Sequence, residues 1–467
     1  MNNDPRETLA GSPMSRLQVG AVAITIGLNA LDGFDVLAIS FASPGIAAEW
    51  GIEPAALGFV LSMELIGMSL GSVLLGGVAD KLGRRATMLG CLVLMTIGMF
   101  MATTASGIVD LSLWRIVTGL GIGGMLAATA AVAAEFSNSR RRDLCVSLMA
   151  IGYPIGAVLG GSIAAQLLAE YSWRSVFYFG AAATAAFIPA VFFFVPESVH
   201  WLARKQPDGA LERINRTLAR MGHAAIRALP EIPLDARRRS VPEIFAPAFL
   251  GTTMIVTAAY FFHIMTFYFV LKWVPKIVAD MGFAASSAAG VLVWANVGGA
   301  VGGAVLGILT QRFNVKTLTI GAMVLSTVLV TVFGRSPEDL ARLSMLCAFA
   351  GFFTNGAIVG LYAIFAKAFP THVRALGTGF SIGVGRGGSV LGPVVAGFLF
   401  EGGAALPTVA LAMGIGSLFA AGVLMLLKLE PSSPKAPDAE APSARRCRRR
   451  RRRAAPLRLA GVERQLR

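Results

Sequence analysis

The chain has 467 residues, 55% hydrophobic and only 14% charged, with a formal net charge of +15. Soluble domains average roughly 25% charged residues, so a soluble globular protein is excluded and an all-α polytopic membrane protein is indicated. Residues 431–467 hold twelve basic and three acidic side chains; the +6 left on the body suits a membrane surface better than nucleic acid, and no nucleic-acid partner is expected.

The first sixteen residues are polar, carry both signs and lack a small-residue cleavage site, so no signal peptide is read. Apolar windows close to the ~20 residues a bilayer requires follow at about 17–47, 55–79, 86–106, 108–134, 144–169 and 174–195. A polar interval at 196–246 separates them from six more, near 248–271, 284–310, 315–333, 340–366, 375–400 and 404–428. Twelve transmembrane helices are therefore expected in two pseudo-symmetric six-helix bundles, 1–195 and 247–428. A central cytoplasmic loop joins them, and a basic tail, 429–467, is expected to be disordered.

Midway along the first window stand Asp32 and Asp35. Ionisable residues within a span cost on the order of 2.5–3.5 kcal/mol each and persist mainly where they face a cavity, a partner or a transport path. A spacing of three puts both on one helical face, and Gly33 between them admits a neighbouring helix or a ligand. They read as proton-coupling and substrate-binding groups, or else as structural carboxylates paired with an arginine. Glu64, in the second window, is a further protonation candidate.

GGVADKLGRR, Gly76 to Arg85, joins the second and third windows. Gly76 and Gly83 favour close packing, while Asp80, Arg84 and Arg85 can form a network that holds one conformation. In the fourth window Arg115 precedes Gly119, Gly121, Gly123 and Gly124, and either balances a carboxylate during proton transfer, touches substrate, or snorkels outward. Glu135 and the Arg140–Arg142 cluster, with Arg141 at its centre, read as a gate or an anchor. The fifth window contains GYPIGAVLGG, Gly152 to Gly161, and the sixth is followed by PESVHWLARK, Pro196 to Lys205.

In the second half, GGAVLGILTQRFN (Gly302 to Asn314) repeats GSVLLGGVADKLG (Gly71 to Gly83) at an offset of 231, pairing Gly71 with Gly302 and Gly76 with Gly307. Gln311 and Asn314 replace the acid and glycine of the first copy, weakening any gate built on an acid there. Arg386 lies twelve residues beyond Arg374, roughly 18 Å along a helix and thus near mid-bilayer. A guanidinium at that depth can clamp a carboxylate with its planar fork, or pair with Asp32 or Asp35; Gly385, Gly387 and Gly388 are expected to leave room for a ligand. Tyr260, Trp294, Asn296 and Asn355 are further candidates for contact with a substrate ring or its polar groups, although such residues commonly just pack.

Basic residues favour one set of connections: Lys81, Arg84 and Arg85; Arg140–Arg142; Arg312 and Lys316; Lys367 and Arg374. Acids favour the other set: Glu49, Glu53, Asp110, Glu170, Glu338, Asp339 and Glu401, with Arg174, Lys272, Lys276, Arg335 and Arg342 as exceptions. This bias predicts both termini in the cytoplasm and an inner-membrane location. Lys272 and Lys276 are expected at the outer mouth, gathering anions. Cys91, Cys145, Cys347 and Cys447 lack metal-ligand spacing, so neither a metal nor a cofactor is expected.

The Gly76–Arg85 stretch resembles the loop signature of the major facilitator superfamily, and the Arg115 glycine ladder its fourth-helix pattern. GYPIGAVLGG resembles a motif of the superfamily's exporters, and PESVHWLARK the half-closing signature of its sugar and organic-acid porters. LDGFD with FASPGIAAEW, KWVPKI, and FPTHVRALGTGFSIGVGRGGSVLGP together resemble the aromatic acid:proton symporter family, over roughly residues 16–428. The resemblance implies a proton-coupled importer of benzoate-like acids, not an enzyme, with Asp32 and Asp35 needed for coupling or binding and Arg386 facing the substrate carboxylate. The expected partners are a small aromatic carboxylate, protons and membrane lipid, and the chain is expected to act as a monomer. Other readings are a porter of another organic acid or sugar, an exporter, or a non-transporting sensor that signals through its tail.

Overall fold

Ser15 opens the first span with a capping box shared with Gln18, after a short helix α1 (Pro5–Gly11). The span, α2 (Arg16–Trp50), runs unbroken through Pro44 and stops where Gly51 turns left-handed (φ 59°). In the computed structural model, residues 4–231, 244–370 and 373–428 are described. The tail from 429, expected to be disordered, lies outside the described residues, as do residues 232–243 of the central loop.

The first half continues with α3 (Pro54–Leu82), α4 (Arg84–Thr103), α5 (Ile108–Glu135), α6 (Arg142–Glu170) and α7 (Arg174–Phe194). The polar interval, expected as a loop, contains two helices, α8 (Val199–Lys205) and α9 (Ala210–Arg220). Their buried Trp201, Leu202, Ile214 and Leu218 join the first half's core. The second half comprises α10 (Pro247–Asp280), α11 (Ala285–Leu309), α12 (Val315–Phe333), α13 (Leu340–Ala368), α14 (Arg374–Gly385), α15 (Gly387–Glu401) and α16 (Leu406–Met425). Counting α14 and α15 as one span, twelve helices among the described residues are long and apolar enough to cross a membrane. The protein is a multi-pass membrane protein of two six-helix bundles.

Lipid supplies no hydrophobic drive between helices, so close approach depends on small residues. The two halves use the same ones. A Cβ on Gly67 or Gly71 of α3 would collide with the carbonyls of Ile116 and Leu120 on α5; a Cβ on Gly298 or Gly302 of α11 would collide with those of Ala348 and Phe352 on α13. The four positions obey the offset of 231, so the repeat read from glycines is a repeat of helix contacts. Gly76 and Gly307 also correspond, and both face open space. Gly76 is therefore not the packing residue the sequence suggested.

One end of the bundle is sealed. There Ala55 N–H donates to Glu401 Oε2 at 3.0 Å, Phe59 stacks edge-on against Phe398 with centroids 5.8 Å apart, and Gly397 packs on the backbone of Pro54. Slightly deeper, Ser62 Oγ donates to Val390 O at 2.8 Å. Among the described residues the hydrogen bonds joining the halves lie at this acidic end or at mid-depth. At the basic end, Gly76 and Gly77 of α3, Gly307 of α11 and Gly379 and Gly383 of α14 meet nothing. Among the described residues no hydrogen bond joins the halves there.

Candidate functional site

Three charged side chains without solvent contact meet at mid-depth. Glu64 Oε2 on α3 takes Arg115 Nη2 of α5 at 2.6 Å and Lys272 Nζ of α10 at 3.4 Å, and all three side chains are 0% exposed. Arg115 also donates to Asp35 O at 2.9 Å and to Met99 Sδ, and lies over the Phe177 ring. Lys272 makes a second, short hydrogen bond to Val36 O. Each cation therefore anchors both a carboxylate and a backbone carbonyl of α2, which is how a buried ion pair becomes tolerable. Glu64 Oε1 has no hydrogen-bond partner among the described residues.

Two expectations change here. Lys272 does not stand at an outer mouth, because α10 continues to Asp280, about two turns past the predicted end of the span, and draws Lys272 inside. Lys276 instead pairs with Asp280. Arg115 neither snorkels nor lines an open site, since Glu64, Met99, Asp35 and Phe177 enclose it.

Asp32 and Asp35 are 2% and 0% exposed, and none of their four carboxylate oxygens has a hydrogen-bond partner among the described residues. Both point within the first half. Asp35 lies against Gly180 and Thr184 of α7, and the Thr184 hydroxyl is spent on Gly180 O. Gly33 serves helix packing: a Cβ there would strike the Tyr153 carbonyl of α6. Gly152 and Gly156 of the exporter-like stretch seat α6 on the same helix, against Ile26 and Ala30. Neither aspartate forms an ion pair with Arg386.

Arg386 sits in the second half, at the turn between α14 and α15. Its carbonyl accepts from both the N–H and the Oγ of Ser389, so the break is bonded locally. Its guanidinium has no carboxylate partner among the described residues. Gly385 and Gly388, expected to leave ligand space, are filled by Tyr260 and the Phe261 carbonyl of α10.

Beside Tyr153 a cleft opens between the halves, lined by Phe267, Val270, Asn296, Thr354 and Asn355. The structure thus brings Asn296 and Asn355 together. Asn355 Nδ2 donates to Gly299 O at 2.7 Å and Asn296 Nδ2 to Leu292 O. Tyr260, buried, reaches Tyr362 hydroxyl to hydroxyl at 3.3 Å. Trp294 is a correction: it is 54% exposed on the outer face of α11, turned away from the cleft. Tyr153 and Phe267 supply the aromatic wall instead. In sequence Tyr153 is masked by its neighbours, since Pro154 and the glycines of GYPIGAVLGG carry the helix-packing signal.

A second network ties the basic end of the first half. Arg84 bridges Asp80 at 2.9 Å and Glu135 at 3.2 Å, and Arg204 of α8 reaches Asp80 at 3.1 Å. Glu197 accepts from the backbone N–H of Arg84 and Ser198, and Trp201 Nε1 donates to Asp80 O. Gly83 is obligatory: its φ is +104°, and a Cβ would strike the Glu197 carboxylate. Arg85 leaves the network for Phe192, donating to its carbonyl at 2.5 Å. Arg141 is exposed and, among the described residues, makes no ion pair, so it is not part of this network; it stands at the N-cap position of α6 without a side-chain capping bond. Glu197, Trp201 and Arg204 were visible as a family-like stretch without an assigned contact. Nearby, burial lowers the pKa of His200 below the usual histidine value, against an opposing pull from Glu135, so it adds no charge at neutral pH.

The sequence model of the Major Facilitator Superfamily matches residues 25–297 and again 256–462. A gallate transporter of Pseudomonas putida is 27% identical over 91% of this chain and 94% of its own length. The 4-hydroxybenzoate transporter PcaK of the same organism is 29% identical over 83% and 88%. Among solved structures, the inward-open xylose transporter XylE of E. coli superposes with a TM-score of 0.66 at 17% identity, over 90% of this chain and 98% of that one.

Proposed function

We propose, because this chain belongs to the Major Facilitator Superfamily, that it imports small aromatic carboxylates together with protons, its halves rocking about a mid-depth site. The observation that carries this reading is the guanidinium of Arg386, without an ion pair among the described residues at a helix break packed on Tyr260, together with a cleft between the halves that Tyr153, Phe267, Asn296 and Asn355 line. A ring-bearing acid fits that chemistry: its carboxylate takes the guanidinium fork, its ring lies along Tyr153 and Phe267, and ring hydroxyls meet Asn296, Asn355 and Thr354. The names of the gallate and 4-hydroxybenzoate transporters support the same substrate class.

Asp32 and Asp35 are the proton carriers, buried with every oxygen unpartnered, as befits groups that exchange a proton and hold no permanent salt bridge. The Glu64–Lys272 contact, which crosses from one half to the other, holds the acidic end closed in the state observed. The charge bias of the connections supports a basic end that faces the cytoplasm of an inner membrane, and a state closed at the acidic end is then the releasing one.

Calorimetric titration of the purified protein tests the recognition step. 4-Hydroxybenzoate binds, 4-hydroxybenzamide binds at least about tenfold more weakly, and Arg386→Gln erases the difference. Equal binding of acid and amide to the unaltered protein contradicts the assignment of Arg386.

A further inference from the structure

A second cavity lies at the basic end of the first half, lined by Arg85, Phe192, Phe193, Arg213, Arg216 and Arg220. It has no part in the transport reading. Arg213, Arg216 and Arg220 fall at i, i+3 and i+7 on α9, so they share one face, while Ile214, Leu218 and Met221 bury the opposite face in the core. Arg85 approaches from α4, its guanidinium 4.9 Å from the Phe192 ring centroid and its Nε buried without a partner.

None of the four guanidiniums is ion-paired among the described residues. Glu197, the one acid lining the cavity, is occupied by the backbone N–H groups of Arg84 and Ser198. Four cations against one carboxylate around a single hollow leave an excess of positive charge that asks for an anion. Its surroundings narrow the choice. Phe192, Phe193 and Phe194 form the last turn of spanning helix α7 and are 52%, 64% and 61% exposed, so the hollow sits where apolar surface gives way to polar loop. A soluble anion gains nothing from three exposed phenyl rings, whereas an acyl chain does.

We infer that this cavity binds the phosphate of an anionic phospholipid, with the guanidinium forks on the headgroup and an acyl chain along Phe192 and Phe193. The lipid bridges α4, α7 and α9 and fastens the central-loop helix to the first half.

The test uses the full-length protein in detergent, titrated with dioctanoyl phosphatidylglycerol, dioctanoyl phosphatidylcholine or inorganic phosphate, and read by unfolding temperature and native mass spectrometry. Phosphatidylglycerol binds saturably and raises the unfolding temperature. Each single variant, Arg213→Gln, Arg216→Gln or Arg220→Gln, weakens it about fivefold, and the triple variant about a hundredfold. The triple Lys variant retains most of the affinity. All three side chains are exposed, and the single variants give the answer should the triple one misfold. Unchanged phosphatidylglycerol binding in the Gln variants overturns the site by locating the lipid elsewhere. Equal binding of phosphatidylcholine overturns it as an anion site, and an equal response to inorganic phosphate overturns the lipid assignment in favour of a free anion.

Discussion

Lys272 of the second half and Glu64 of the first meet at 3.4 Å in a region where neither side chain touches solvent. Glu64 already has Arg115 at 2.6 Å, so Lys272 is a second cation on one carboxylate. Its attachment to α2 through Val36 O makes it a bolt between halves.

Removing the carboxylate should therefore cost more than removing the bolt. Glu64→Gln strands two buried cations and is expected to destabilise the protein by about 3 kcal/mol or more. Lys272→Met leaves the Arg115 pair intact and costs less, on the order of 1 kcal/mol, while opening the acidic end. Thermal unfolding of the two variants and of their double gives the coupling. Thiol crosslinking after the paired substitutions Ala55→Cys and Glu401→Cys reports the opening, as a loss of crosslinked product. A larger loss of stability from Lys272→Met than from Glu64→Gln contradicts the assigned order.

Asp32→Asn and Asp35→Asn behave oppositely. Neither carboxylate has a hydrogen bond to lose, so both variants should match the unaltered protein in stability to within about 0.5 kcal/mol. Each abolishes accumulation driven by a pH gradient and leaves exchange of labelled for unlabelled substrate at equal pH. A strong drop in stability would instead make the aspartates structural.

Gly83 and Gly76 belong to one sequence stretch but have different jobs. Gly83→Ala forces a side chain into a glycine-only backbone region and against Glu197, with an expected loss of about 1–3 kcal/mol. Gly76→Ala meets empty space and changes stability by under about 0.5 kcal/mol. Denaturation in detergent distinguishes the two, and equal effects would mean that Gly83 is not tied to the Glu197 contact.

The fold was legible because bilayer thickness imposes span lengths and because glycine positions repeat with helix contacts, as Gly71 and Gly302 do. The eleventh span's break at Arg386 was not, since a glycine on either side fits a continuous helix as well. The partner of Arg115 was hidden for another reason: three carboxylates on two helices were candidates, and only the rotation of α3 against α5 selects Glu64. Lys272 was misplaced because a positive charge ends an apolar window in sequence, whereas in space a carboxylate from the other half lets the helix carry it inward.

The central claim is tested most directly by uptake of labelled 4-hydroxybenzoate into vesicles holding the purified protein, with the outside more acidic than the inside. Accumulation above the level of empty vesicles and of the Asp35→Asn protein, abolished by a protonophore and by Arg386→Gln, is the predicted result. Uptake of this acid, of benzoate and of gallate no greater than in those controls would contradict it.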